Sequence, residues 1–308
     1  MERSSKVCVT GGAGYIGSWL VKKLLERGYI VHATLRNLDT RLRLFEADIY
    51  NHDEFEPAIE GCEFVFHVAT PMLHNNQSSQ YKDTSEAAVA GMKSIVESCI
   101  RSGTVKRLIY TASVMAASPL KEDGTGFNDY INESCWTPLN LSFPYSNQNT
   151  LGYVLSKTLA EKEVLSYNGK GGLEVVTLSC GLVGGDTLLP SLSSSVETLV
   201  SQLTGNLSTY NNLRLLQAQL GSVPLAHIDD VCEAHVFCMG RPLVTGRFLC
   251  AITYPSMAEI DWKFVERPER GIRCDSRKLI EKGFEYKYDM KKILDDSVKC
   301  ARRLSVLK

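Results

Sequence analysis

The amino-acid sequence predicts an α/β fold in which helices cover both faces of a mostly parallel sheet. Short apolar segments such as KVCVTG, YIVHATLR, EFVFHVAT and VKRLIYTAS alternate with helix-like segments. Strands that are buried on both faces read as apolar runs of this kind. A glycine-rich turn also joins the first strand directly to the first helix. Together these features indicate a doubly wound (Rossmann) fold.

The alternation of strands and helices also predicts how the domains are organised. The pattern weakens after Gly181, and the segments IRCDSRKLIEKGF and DMKKILDDSVKCARRL indicate a smaller lobe. A chain of 308 residues is long enough for one large domain with such a lobe. We predict a nucleotide-binding domain of residues 1–181 and 223–245, and a substrate-binding lobe of residues 182–222 and 246–308.

One connection conflicts with a simple parallel sheet. Only residues 37–40 separate the second predicted strand, YIVHATLR, from the third, RLRLFEAD. Parallel neighbours normally need a crossover of about a dozen residues. The two strands therefore form an antiparallel hairpin, or the sequence lacks a segment near residues 40–41. We favour a missing segment, and a similar shortening near residues 260–261.

The composition excludes several classes of partner. The net charge is −1 and no long run of like charges occurs, so neither nucleic acid nor an anionic membrane is indicated. No stretch approaches the roughly 18 apolar residues of a membrane span, and MERSSKVCV has no apolar signal core. The ten cysteines form no CxxC pair or metal-like cluster. We therefore expect a cytoplasmic protein with reduced thiols and no metal site.

The glycine-rich turn predicts a dinucleotide site. Gly11, Gly14 and Gly17 form TGxxGxxG between strand and helix, with Tyr15 and Ile16 at the helix start. Without side chains, such a turn lets a pyrophosphate approach the main-chain N–H groups at the positive end of a helix. The alternative is an ordinary glycine turn, but the strand-to-helix context favours the nucleotide interpretation.

Arg36 indicates which dinucleotide binds. An acidic residue at the end of the second strand suits the ribose of NAD, whereas an arginine suits the 2′-phosphate of NADP(H). The chain has Arg36 there and no acid until Asp39. A solvated surface arginine is the alternative, and we predict NADP(H).

Ser113, Tyr153 and Lys157 form a candidate catalytic group. Tyr153 and Lys157 stand four residues apart on a predicted helix, and Ser113 ends the strand VKRLIYTAS. Hydride delivery to a carbonyl needs a proton donor and a group that polarises the oxygen. A nearby ammonium lowers the pKa of a phenol, which makes tyrosine a better acid. A Tyr–Lys pair alone is more often structural, but its position after the glycine turn favours catalysis.

With these motifs the chain resembles the extended short-chain dehydrogenases/reductases. More narrowly it resembles the plant dihydroflavonol reductase, anthocyanidin reductase and vestitone reductase group. The resemblance rests on VTGGAGYIGSWLV, AIEGCEFVFHVATP, TVKRLIYTAS, YVLSKTLAEK and HIDDVCEAH, and it spans nearly the whole chain.

The resemblance implies roles for individual residues. It assigns catalysis to Ser113, Tyr153 and Lys157, and the 2′-phosphate to Arg36. The other residues that it places at the cofactor are Asp48 and Ile49 beside the adenine, Val68, Ala69 and Thr70 along the middle, and Cys180, Leu182 and Val183 near the nicotinamide.

Departures from the family pattern limit the prediction of the substrate. Ala112 replaces a serine, Cys180 stands where proline is usual, and Ser118 takes the position of an asparagine that binds substrate hydroxyls in dihydroflavonol reductases. Ser118 is kept as a candidate substrate residue. Tyr145, just before the catalytic helix, is a second candidate, and ordinary loop packing is its alternative.

Three functions remain open from the sequence. The first is an NADPH-dependent reductase of an aromatic or polycyclic carbonyl compound of flavonoid-like size. The second is an NAD-retaining nucleotide-sugar epimerase or dehydratase of the same fold, against which Arg36 argues. The third is a non-catalytic NADP(H)-binding protein, against which the intact Tyr153 and Lys157 argue.

Overall fold

The computed structural model of the chain describes residues 5–34, 42–49, 52–71, 81–123, 125–140, 142–260 and 272–308. The strands are β1 (Lys6–Thr10), β2 (Ile30–Thr34), β3 (Leu42–Phe45), β4 (Phe64–His67), β5 (Arg107–Ser113), β6 (Tyr130–Ile131), β7 (Glu174–Cys180), β8 (Leu182–Gly184), β9 (Leu225–His227), β10 (Gly246–Cys250) and β11 (Arg273–Cys274). The helices are α1 (Tyr15–Glu26), α2 (Glu56–Ile59), α3 (Thr84–Ser102), α4 (Gln148–Leu165), α5 (Ser194–Leu199), α6 (Ser201–Thr204), α7 (Leu207–Leu220), α8 (Ile228–Gly240), α9 (Met257–Ile260), α10 (Arg277–Glu281) and α11 (Met290–Arg303).

A seven-stranded sheet forms the centre of the fold. Its strand order is β10-β7-β5-β4-β1-β2-β3. The four pairings from β5 to β3 are all parallel. β1, β4 and β5 are almost wholly buried, as their apolar runs predict. The predicted doubly wound fold is therefore confirmed.

The pairing of β2 with β3 corrects one alternative from the sequence. Val31 pairs with Leu42 and Thr34 with Phe45, in parallel, so the antiparallel hairpin is wrong. Seven residues connect the strands, and in extended form they reach about 23 Å. A strand of four residues is only roughly 13 Å long, so seven residues are long enough to join the end of one strand to the start of its parallel neighbour. A missing segment near residues 40–41 or 260–261 stays a prediction, since residues 35–41 and 261–271 lie outside the described ranges.

Residue contacts group the chain into two compact units. The first unit comprises residues 1–112, 155–178 and 232–247, and the second comprises 113–154, 179–231 and 248–308. The predicted division into a nucleotide-binding domain and a substrate-binding lobe stays a prediction. Both units have an apolar core of their own.

In the first unit a buried ion pair fixes α4 to the sheet. Arg247 donates through Nε and Nη2 to the carboxylate of Glu161, at 3.1 and 3.0 Å. Thr177 on β7 donates its hydroxyl to the same carboxylate at 2.7 Å. All three side chains are buried. A carboxylate left there without partners would carry a large desolvation cost, so these contacts hold the helix that carries Lys157.

In the second unit a polar network orders the segment that follows Ser113. Gln219 on α7 donates through Nε2 to the carbonyl oxygen of Met115 at 2.7 Å. Thr137 donates its hydroxyl to the same carbonyl at 2.6 Å. Buried polar groups of this kind stay paired, because an unmade bond costs more than a made one contributes. α7 is thereby fastened to the turn after β5.

Candidate active site

The glycine-rich turn has the close approaches that its sequence predicts. Gly11 has φ +69°, which glycine adopts without strain. A Cβ atom at Gly11 would lie 2.8 Å from the main chain of Ala69, and one at Gly17 would lie 2.1 Å from the carbonyl oxygen of Gly11. The N–H of Gly11 also donates to the hydroxyl of Thr34 at 2.9 Å. The turn thus packs backbone against backbone.

The N-terminus of α1 has the character of an anion site. Gly14 is its N-cap and supplies no side-chain cap, and the first turn has no acidic residue. Tyr15 is buried and Ile16 half-buried. Because the first N–H groups of a helix lack intrahelical acceptors, this end of α1 fits the pyrophosphate of a dinucleotide.

The residues predicted to contact the adenine end of the cofactor are only partly described. Arg36 lies outside the described residues, so its role stays a prediction. Asp48 is exposed, and its N–H donates to Glu54 at 2.7 Å. Ile49 is buried against α3, where a Cβ at Gly91 would lie 2.5 Å from the Ile49 side chain. Gly91 therefore makes room for Ile49.

The segment after β4, residues 68–70, is half-buried and held by Thr10. The Thr10 hydroxyl accepts from the N–H groups of Val68 and Ala69, at 3.2 and 3.3 Å. The same oxygen lies 2.7 Å from Nδ1 of His67. Because it already accepts from the main chain, its proton goes to Nδ1, and the His67 tautomer carries hydrogen on Nε2. Burial, and secondarily the charge of Lys157, lower the pKa of His67 to about 3.

Lys157 is buried and its ammonium group is bound by oxygen atoms of the first unit. Its Nζ donates to the hydroxyl oxygen of Thr70 at 2.7 Å and to the carbonyl oxygen of Thr111 at 2.8 Å. It also lies 5.1 Å from the ring centroid of Tyr110. A buried ammonium needs acceptors of this kind, so the lysine has a defined position.

Ser113 and Tyr153 form a hydrogen-bonded pair in the second unit. The Ser113 hydroxyl accepts from the N–H of Met115 at 3.2 Å and hydrogen-bonds the phenol of Tyr153, which lowers the pKa of that phenol. Burial has the larger, opposite effect, and the pKa of Tyr153 is raised. At neutral pH the phenol keeps its proton.

The predicted nicotinamide segment follows β7. Cys180 is buried, and its thiol is close enough to Tyr153 to contribute to the raised pKa of the phenol. Leu182 and Val183 belong to β8, which pairs in parallel with β9. Gly181 is packed so tightly that a Cβ would lie 2.7 Å from the carbonyl oxygen of Pro224. The roles of Cys180, Leu182 and Val183 at a cofactor stay predictions.

The two candidate substrate residues differ in their surroundings. Ser118 is buried, donates its hydroxyl to the carbonyl oxygen of Gln219 at 2.8 Å and accepts from the N–H of Leu120 at 3.2 Å. Tyr145 is 39% exposed and contacts Arg214 through its ring and its hydroxyl. The substrate roles of Ser118 and Tyr145 both stay predictions.

The sequence interpretation missed Thr10 and Arg214. Thr10 precedes the glycines directly, which was a usable signal for a structural hydroxyl beneath the turn. Arg214 lies on a helix 69 residues from Tyr145, and no local pattern connects the two.

His227 and Asp230 of HIDDVCEAH contact residues near the C-terminal end of the second unit. His227 stacks on Tyr288 at 4.0 Å, and its Nε2 lies 3.4 Å from Asp296. Asp230 lies in the first turn of α8, and its carboxylate accepts from the N–H groups of Lys287 and Tyr288, at 3.0 and 3.2 Å.

Three further observations concern the described part of the chain. No group of three or more His, Cys, Asp or Glu side chains there is arranged to hold a metal ion. None of its helices has the length and apolar character that a membrane crossing requires. None of the ten cysteines forms a disulfide.

Known proteins resemble the chain over nearly its full length. A putative anthocyanidin reductase from Ginkgo biloba is 35% identical over 336 aligned positions, covering 99% of this chain and 96% of the relative. A dihydroflavonol 4-reductase from Callistephus chinensis is 35% identical, covering 95% and 85%. Because the first alignment is longer than the 308 residues of this chain, that relative has residues without a counterpart here.

Structural similarity leads to the same group. The crystal structure of vestitone reductase from alfalfa (Medicago sativa L.) superposes with a TM-score of 0.78 at 30% identity, covering 99% of this chain and all of that one. The profile of the NAD dependent epimerase/dehydratase family matches residues 7–247. The predicted resemblance is confirmed, and the chain belongs to the NAD dependent epimerase/dehydratase family of extended short-chain dehydrogenases/reductases.

Proposed function

We propose that the chain is an NADPH-dependent reductase that acts on a carbonyl compound of flavonoid type. The observation that carries the proposal is the hydrogen-bonded pair of Ser113 and Tyr153, with Lys157 one turn further along α4. The names of the relatives support a flavonoid-type substrate, since they are anthocyanidin, dihydroflavonol and vestitone reductases. Arg36 supports NADPH on sequence grounds alone.

The dinucleotide fits the residues of the first unit. The close-packed turn at Gly11 and Gly17 leaves no room for side chains, and the uncapped start of α1 offers N–H groups to a pyrophosphate. NADPH would supply the hydride when bound. We assign its binding to this turn, to residues 68–70 and to Lys157.

Tyr153 acts as the proton donor in this proposal. Its pKa is raised by burial, so at neutral pH the proton is in place for transfer to a carbonyl oxygen that gains negative charge. Ser113 donates a hydrogen bond that stabilises the phenolate left behind. Lys157 supplies a fixed positive charge on the same helix, which further favours that phenolate.

A panel of carbonyl substrates tests the proposal. NADPH oxidation is followed by absorbance with dihydroflavonols, flavanones, isoflavanones, anthocyanidins and alkaloid hemiacetals, and NADH serves as the comparison. We expect turnover of one class and a preference for NADPH. Binding of NADPH without turnover of any class would contradict a flavonoid-type substrate.

The family description also favours a second candidate, an NAD-retaining epimerase or dehydratase of nucleotide sugars. Enzymes of that kind keep NAD through the whole cycle, so the purified protein would carry it. Nucleotide extraction from the purified protein decides between the two. A stoichiometric amount of NAD would replace the proposed reductase with this second function.

A further inference from the structure

We propose that Thr70 is a positioning residue for Lys157: its hydroxyl oxygen holds the lysine ammonium where the reaction needs a positive charge. The inference rests on the proposed function, in which Lys157 acts beside Tyr153. It assigns Thr70 a task that is independent of contact with the cofactor.

The contacts of Lys157 carry the inference. Lys157 is only 4% exposed, so its ammonium depends on protein acceptors. Its Nζ donates to Thr70 Oγ1 at 2.7 Å and to the carbonyl oxygen of Thr111 at 2.8 Å. A main-chain carbonyl cannot be removed by substitution. Of these two acceptors, only the Thr70 hydroxyl can be removed by mutation, so a substitution at Thr70 tests what holds the Lys157 ammonium in place.

Thr70 is itself held in place. Val68 and Ala69, the two residues before Thr70, donate their N–H groups to the hydroxyl of Thr10. Thr10 also binds His67, whose ring stacks on Tyr110 at 5.4 Å. The Tyr110 ring in turn lies 5.1 Å from Nζ of Lys157. Contacts thus connect Thr10, His67, Tyr110 and Lys157 in series. The hydrogen bond from Lys157 to the Thr70 hydroxyl joins the lysine back to the segment that Thr10 holds.

The titratable groups around Lys157 allow a pH test. His67 faces it from β4 and Tyr110 from β5, while Tyr153 and Glu161 stand one turn away on either side along α4. Glu161 is paired with Arg247. His67 stays neutral because burial lowers its pKa to about 3, and it adds no second positive charge at neutral pH.

Replacing Thr70 by valine keeps the shape and removes the hydroxyl. A buried ammonium that loses an acceptor is less stable in its charged form. In the proposed reduction of a carbonyl, only the charged form of Lys157 is active. Activity is therefore lost as rising pH removes the proton from the lysine. We expect kcat for Thr70→Val to fall about tenfold and the alkaline limb of the pH–rate profile to move about one unit to lower pH. The substrate KM should change little.

Two further variants separate positioning from packing. Thr70→Ser restores the hydroxyl and should restore both kcat and the alkaline limb. Thr177→Val removes another buried hydroxyl that donates to a charged group, Glu161. It should lower the free energy of unfolding without moving the limb. If Thr70→Val does not fold, kcat and the alkaline limb are compared between Thr70→Ala, which lacks the hydroxyl, and Thr70→Ser, which keeps it.

A crystal structure of the variant without cofactor gives a readout besides activity. We expect the Nζ atom of Lys157 to leave its wild-type position in Thr70→Val and to return in Thr70→Ser. A wild-type alkaline limb with an unmoved Nζ in Thr70→Val would overturn the role of Thr70. If Tyr153→Phe is inactive in the same experiment, the proposed reductase stands although the Thr70 inference has failed. Full activity of Tyr153→Phe would instead refute the proposed function.

Discussion

The guanidinium of Arg214 lies 3.9 Å from the ring centroid of Tyr145, and its Nη2 atom donates to the tyrosine hydroxyl at 2.8 Å. Tyr145 has φ +64°, a conformation that bulky side chains rarely adopt and that costs about 1–3 kcal/mol. The contact with Arg214 offsets this strain. Tyr145 precedes α4, the helix that carries Tyr153. Arg214 lies on α7, which is hydrogen-bonded to the turn after Ser113. Arg214 and Tyr145 belong to the same unit as Ser113 and Tyr153.

The first prediction concerns substrate binding by this pair. Because Arg214 fixes the Tyr145 ring, Arg214→Ala should raise the substrate KM about tenfold, a loss of about 1.4 kcal/mol, with little change in kcat. Tyr145→Asn should raise KM as well, yet keep the free energy of unfolding, because asparagine tolerates positive φ. Steady-state kinetics and urea unfolding measure the two effects. An unchanged KM in both variants would show that the pair only packs the loop.

The second prediction concerns the glycine turn. A Cβ at Gly17 would overlap the carbonyl oxygen of Gly11 at 2.1 Å, which is main chain and cannot move aside. Gly17→Ala should therefore distort the turn and weaken NADPH binding at least tenfold. Gly240→Ala is the matched control, because nothing lies within 4 Å of a Cβ there. Nucleotide fluorescence gives both dissociation constants. Equal constants for the two variants would refute the nucleotide role of the turn.

The third prediction concerns acid stability and His67. Its pKa is lowered to about 3 in the folded protein, against about 6.5 in an unfolded chain. Between these values the unfolded chain binds the extra proton, so the free energy of unfolding falls as pH falls, by at most about 1.4 kcal/mol per pH unit. His67→Asn removes this titration and keeps a side-chain acceptor for Thr10.

Urea unfolding at several pH values tests this effect. The curve for His67→Asn should be flatter than that of the wild type between about pH 6.5 and pH 4, although the variant is less stable at neutral pH because it loses the stacking on Tyr110. Parallel curves for the two proteins would contradict the buried, neutral histidine.

Residue spacing and apolar runs in the sequence predicted the glycine turn, the helix α4 and the buried strands. Gly11 and Gly17 stand where a side chain would meet main chain, so the turn was predictable from spacing. Tyr153 and Lys157 fall on one helix, α4, as their spacing indicates. The buried strands β4 and β5 follow from their apolar runs.

Such patterns could not predict contacts between residues that are far apart in the sequence. Thr70 and Lys157 are 87 residues apart, and Arg214 and Tyr145 are 69 apart. No periodicity marks a hydroxyl that will meet an ammonium after folding. The sequence analysis allowed a parallel pairing of β2 with β3 only with a missing segment, because the crossover rule assumes that a helix lies between parallel neighbours.

Tyr153 is the proton donor in the proposed reaction, and its hydroxyl is the group on which catalysis depends most directly. The decisive measurement is kcat of Tyr153→Phe with NADPH and the substrate class that the panel identifies, together with the NADPH dissociation constant. We predict a fall in kcat of about 100-fold or more, the usual contribution of a general acid, with NADPH binding retained. Wild-type kcat in Tyr153→Phe would contradict the account.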